Sequence, residues 1–261
     1  MKKHGIVRKL RKRYKALKRS AKLLDGTCKA ALIHRFRLEY KHINAFLAML
    51  SCRKWAKGLD ISTRLKKLYK RSGRIRKLQL QLDAFRHPHS KYGAQYAKAL
   101  GSALEAAKRR FLKRLSPKII DQSRDRNIAD IKGPFCSGDY RDYLAAKAER
   151  IKKVLRGAVS DHKLHAVRKE LKRVFYTKSL FKVSDDEERQ MRLIYKLSSE
   201  KLLERLGRFQ DRCNAIDLLA PEQYPELGPQ AGRWLSGQQR RLLKGKTKMK
   251  KRLSAKLKQI F

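Results

Sequence analysis

Residues 33–45 read IHRFRLEYKHINA, and residues 164–176 read LHAVRKELKRVFY. In each, a His is followed by Arg three positions on and Lys seven positions on: His34, Arg37 and Lys41, then His165, Arg168 and Lys172. Residues at i, i+3 and i+7 share one face of an α-helix, so each set forms a cationic stripe nearly two turns long. The three types suit an extended anion. Arg grips phosphate oxygens with a planar fork, and Lys supplies a mobile point charge. His titrates near neutrality and donates from both nitrogens once protonated. The second copy adds Arg173, and Tyr176 continues its stripe.

These stripes need helices to carry them, and the surrounding sequence is helical in pattern. Long stretches are rich in Lys, Arg, Leu and Ala, which are good helix formers. Apolar residues recur at three-and-four spacing, as in Leu32, Phe36, Ile43, Phe46, Leu47 and Leu50, or Leu164, Val167, Leu171, Val174, Phe175 and Phe181. Strict alternation bounded by turn residues is absent, so an all-α fold is expected. The pattern predicts eight helices, at about 5–24, 28–56, 61–85, 90–115, 138–156, 161–182, 186–219 and 229–259. The polar segment at about 121–136, containing Gly133-Pro134, reads as a joint between halves.

Two halves are indicated by internal repetition. A shift of 131 residues places Gly26 on Gly157, His34 on His165, Arg37 on Arg168, Glu39 on Glu170 and Lys41 on Lys172. A shift of 134 places Gly73 on Gly207, Arg74 on Arg208 and Asp83 on Asp217. Matches among abundant basic residues carry little weight; the matched glycines and histidines carry the argument. A period this long exceeds that of a solenoid repeat. It predicts two pseudo-symmetric helical bundles of about four helices each, residues 1–118 and 138–261, joined in one domain over 1–261. On the first helix Arg8, Lys12, Lys15, Arg19 and Lys22 also keep helical spacing, and Arg150 and Lys153 repeat the last two. If the halves pack about a twofold axis, four basic faces converge on one groove.

The chain has 261 residues, 41% of them hydrophobic, enough to build a sizeable core. Lys and Arg total 69 against 23 Asp and Glu, a formal net charge of +46. Such an excess destabilises a compact fold by self-repulsion unless an anionic partner neutralises it. Cys28, Cys52, Cys136 and Cys213 form no Cys-x-x-Cys pair, which argues against zinc and for a reducing, cytoplasmic setting. No cofactor or metal is expected. The basic N-terminus is not followed by an apolar signal region, and no stretch approaches the roughly 18 apolar residues of a membrane span.

The motifs IHRFRLEYKHINAF and LHAVRKELKRVFYTKSLF, with KRSGRIRKLQLQLDAF and LLERLGRFQDRCNAIDLL as later echoes in each half, resemble the conserved-histidine α-helical domain, or CHAD, family. The resemblance runs over nearly the whole chain. It implies a two-bundle all-α fold around a basic central groove or pore, binding of inorganic polyphosphate, and association with polyphosphate granules. Carried over by motif, the ligand positions are His34, Arg37, Lys41, His165, Arg168 and Lys172. Arg173 joins them because the family commonly has a second basic residue there, where the first half has His42. The family's arginine-aspartate step after the glycine reads Arg76-Lys77 in the first half and Gln210-Asp211 in the second.

The sequence thus points to non-catalytic polyphosphate binding, with nucleic-acid phosphate binding as the alternative. No exposed aromatic cluster, zinc finger or RNA-recognition motif supports base reading. Catalysis is disfavoured. Neither a Glu-x-Glu-x-Lys string nor a phosphate-binding GxxxxGK[ST] loop occurs. The one acidic cluster, Asp185, Asp186, Glu187 and Glu188, suits a helix start better than a metal site.

Overall fold

In a computed structural model, residues 1–24, 26–87, 90–180, 194 and 198–259 are described. Among them are nine α-helices and no strand: α1 (Lys3–Leu23), α2 (Ala30–Leu50), α3 (Thr63–Ala84), α4 (Lys91–Leu112), α5 (Pro117–Ala129), α6 (Ser137–Leu155), α7 (Asp161–Thr177), α8 (Glu200–Leu218) and α9 (Gly228–Lys258). The acidic run 185–188 and Phe181 lie outside the described residues.

Local chemistry sets many of the boundaries. Ser62, Ser90 and Ser160 cap α3, α4 and α7, accepting from the backbone N–H of Leu65, Gly93 and Lys163. Cys136 and Asp139 form a reciprocal capping box at the start of α6. The matched pair Gly26 and Gly157 both adopt positive φ, +79° and +71°, just beyond α1 and α6. Those turns need a residue free to enter the left-handed region, which explains why the repeat keeps glycine there.

Two expectations are corrected. The segment taken as a joint is mostly helix: α5 begins at Pro117, which is tolerated at the first helical position because its missing N–H would be unpaired there anyway. α5 packs on α1 and α3 through buried Ile120 and a polar contact that crosses the core. Asn127 Nδ2 donates to Tyr14 Oη at 2.8 Å, and Tyr14 Oη lies 3.1 Å from Ser123 Oγ. Of the helix expected at 186–219, residues 186–193 and 195–197 lie outside the described residues; Ser198 and Ser199 are not helical, and α8 starts at Glu200. The basic C-terminal segment extends α9, and Lys246 and Lys250 reach Asp161 at the start of α7 (2.7 and 3.0 Å).

The packing order decides which faces meet. α1 packs on α2, α2 on α3, and α3 on α4; correspondingly α6 packs on α7, α7 on α8, and α8 on α9. Across the chain, α2 packs directly against α7, α3 against α8, and α4 against α9. One continuous apolar cluster runs from Ile6 and Leu10 through Phe36, Phe46 and Leu68 to Leu171, Val174, Leu206 and Leu257. No helix among the described residues is long and apolar enough to cross a membrane.

Candidate functional site

The two motif helices, α2 and α7, lie against each other and bring their stripes into electrostatic contact. Lys41 is half-buried, and its pKa is pushed down to about 7. Burial is the largest cause, followed by the charges of Lys172, Arg37 and Arg168; Asp211 acts in the other direction. Lys172 is pushed down to about 8 by burial and by Arg168, again opposed by Asp211. His34, exposed at the edge, is lowered by desolvation and then by Arg76, Lys41, Lys172 and Arg37. Residues from both halves of the chain therefore share one electropositive site, opposed by the Asp211 carboxylate. Bringing like charges together in a partly desolvated place is unfavourable in the free protein.

The two arginines do different work. Arg37 lies across α3, where its Nη1 donates to the Tyr69 carbonyl oxygen (2.9 Å) and to Ser72 Oγ (3.2 Å). Its guanidinium also stands 4.4 Å from the Tyr69 ring centroid, and that ring stacks on Tyr40 at 3.9 Å. A Cβ on Gly73 would come within 2.8 Å of Arg37 Nη1, so glycine makes room for the guanidinium against the α3 backbone. Arg168 lies in the same way against Gly207, where a Cβ would meet Nη2 at 3.5 Å. The positions corresponding to Tyr69 and Ser72 are Leu203 and Leu206, which offer no polar side chain. Arg168 Nε is buried without a hydrogen-bond partner. His165 Nδ1 is likewise buried and unpartnered. The His165 pKa is lowered, burial being the main cause, while Gln210 lies in hydrogen-bonding reach and opposes the shift.

The remaining sequence-derived residues lie elsewhere. Arg173 stands one residue, about 100°, round the helix from Lys172. It turns toward α6 and pairs with Glu170 at 3.0 Å. Glu170 is buried and also receives Lys147 (2.8 Å) and Arg150 (3.5 Å). Arg150 and Arg173 thus stabilise the carboxylate, whose pKa is lowered by the Lys147 hydrogen bond against the cost of burial. Lys153 is exposed on α6. Arg8, Lys12, Lys15, Arg19 and Lys22 are exposed on α1, opposite the side on which Ile6, Leu10, Tyr14 and Leu17 are buried. That stripe faces solvent and is not gathered with the α2 and α7 stripes. His42 packs its ring 4.6 Å from Tyr176, and its pKa is pushed down to about 4 by burial and Arg13.

Two further residues belong to the site. Arg76 acts on His34, and Asp211 acts on both lysines. The signal was present in the internal alignment: Arg76 corresponds to Gln210, which faces His165, and Lys77 corresponds to Asp211. Each half therefore offers its histidine a polar neighbour from the same turn of the next helix. No protein-family model, curated protein or solved structure matches the chain.

Proposed function

We propose that this protein binds inorganic polyphosphate without chemical turnover, through the cation cluster where α2 meets α7. The observation that carries the reading is the depressed pair Lys41 and Lys172, under the charge of Arg168 and opposed by Asp211. A line of phosphate charge would relieve that repulsion, and its released counterions would add a large entropic gain. Lys41, Arg168, Lys172, His34 and Arg76 would contact the chain; Arg37 would chiefly position it. The CHAD-like motifs support the same ligand. The parallel packing orders of α1 to α4 and α6 to α9, together with the α2–α7 contact, support two pseudo-symmetric bundles about a shared basic groove. On this reading the protein works in the cytoplasm, in association with polyphosphate granules.

A second reading, binding of nucleic-acid phosphates, draws on one observation: α1 carries no acidic residue and exposes Arg8, Lys12, Lys15, Arg19 and Lys22 along one side. Competition between long-chain polyphosphate and duplex DNA or RNA separates the two readings.

The main test is calorimetry with polyphosphate at several salt concentrations, on wild type and on Lys41→Ala, Arg168→Ala and Lys172→Ala. A charge-assisted contact contributes about 1.5–3 kcal/mol, so each single change should weaken binding by roughly tenfold or more. The triple variant should also show a shallower salt slope, by roughly 0.7 per lost contact. Affinity unchanged in the triple variant rejects the site.

A further inference from the structure

The cationic stripe of α2 leads beyond His34. Ala30 stands four residues earlier on the same side of the helix and lines a cleft of about 680 Å³ bordered by α3 and α4. α3 follows the same course. Gly73 receives Arg37, Arg76 acts on His34, and Arg76 also forms part of the cleft wall. Past Arg76 the wall turns apolar, with Leu80, Leu82, Phe85, Ala97 and Leu104. Leu80 is 39% exposed there, one of four large apolar side chains left open among the described residues. The wall is firmly backed. Phe85 meets Tyr96 and Trp234 edge-on at 5.2 and 5.9 Å, and Gln79 Nε2 donates to the Cys28 carbonyl oxygen at 2.8 Å. Beyond the apolar stretch, Asp83 and Arg86 pair at 2.5 Å.

A bare phosphate chain gains nothing from an apolar wall beside its anchoring cations. The volume falls within the range of about 300–1,000 Å³ usual for small-molecule sites. At about 1.5 Å per residue, Ala30 and Lys41 are roughly 16 Å apart along α2, so cleft and lysines lie within reach of one small molecule.

We infer that the site accepts a phosphate chain ending in a flat ring system, a nucleoside polyphosphate, with its phosphates on the cluster of Lys41, Arg168 and Lys172 and its ring in the cleft between α3 and α4. Arg76 stands at the junction, where it meets the phosphate nearest the ring. Leu80 and Phe85 cover the ring faces, and the Asp83 carboxylate accepts from an amino or hydroxyl group at the far end. Because Asp83 is paired with Arg86, its charge does not face the phosphates uncompensated. This inference rests on the reading of the cluster as a phosphate site.

The test compares ATP with inorganic tripolyphosphate, both with a metal chelator, by calorimetry on wild type and on Ala97→Trp and Ala94→Trp, which fill the cleft without touching the cluster. ATP should bind at least about tenfold more tightly than tripolyphosphate to wild type, since the buried ring adds an apolar contribution. Both variants should lose that margin while keeping wild-type affinity for tripolyphosphate. Equal affinity of the two ligands for wild type overturns the ring site and leaves the phosphate reading standing. Variants that keep the margin, or that weaken both ligands alike, also overturn it. Absence of tripolyphosphate binding to wild type overturns both readings.

Discussion

Lys41 and Lys172 hold opposite consequences for stability and for binding. Their pKa values, about 7 and about 8, lie below the unfolded lysine value of about 10.4. Between these limits the unfolded chain binds more protons than the folded one, so stability must rise with pH. Below about pH 7 both ammonium groups are charged and the full repulsion is present. The melting temperature of the ligand-free protein should therefore climb between pH 6.5 and 9. Lys41→Met should raise it at pH 6.5 by more than at pH 9; a decrease at pH 6.5 would refute the repulsion. Anion binding favours the charged forms, so affinity should fall as pH rises through 7 to 8, with proton uptake detectable by calorimetry in buffers of different ionisation enthalpy. The histidines act in a lower window. Burial and neighbouring cations depress His34 and His165, so any tightening they provide belongs below their ordinary value of about 6.5.

Between elements, the matched arginine–glycine contacts join α2 to α3 and α7 to α8. In a helix interior Gly→Ala ordinarily stabilises by about 0.5–1 kcal/mol. At Gly207 the added Cβ meets Arg168 at ordinary contact distance, so Gly207→Ala should give that gain. At Gly73 it would displace Arg37 from Tyr69 and Ser72, offsetting the gain with lost charge-assisted hydrogen bonds. Urea unfolding should then find Gly73→Ala less stable than Gly207→Ala by about 1–3 kcal/mol; equal stabilities would show that Arg37 does not brace α3. The repeat made both glycines visible in the sequence. It could not show that one arginine is occupied and the other is not, because that depends on where each guanidinium lies: Arg37 reaches Tyr69 and Ser72, whereas Leu203 and Leu206 hold the matching positions beside Arg168.

Across the whole molecule, a formal charge of +46 makes self-repulsion a general term in stability. Added salt screens it over a Debye length of about 8 Å at physiological strength, whereas a bound polyanion neutralises it at the site. Melting temperature should rise gradually with sodium chloride. It should rise and saturate at far lower concentrations of tripolyphosphate, and Lys41→Ala with Lys172→Ala should remove the saturable part alone. A tripolyphosphate response no steeper than that of sodium chloride at equal ionic strength would leave only screening.

Helical spacing and the matched glycines were sufficient to specify an all-α chain with repeated cationic stripes, because a helix's faces follow from its own short-range geometry. Neighbouring residues also fix that Arg173 cannot share the direction of Lys172. Only tertiary packing decided that α2 meets α7, that Glu170 draws Arg150 and Arg173 away, and that the α1 stripe faces water. It also made α5 part of the core, through Tyr14 and Asn127 on segments far apart in the chain. Periodicity states which residues share a face; the opposing face is chosen by long-range burial of apolar surface, which no local pattern records.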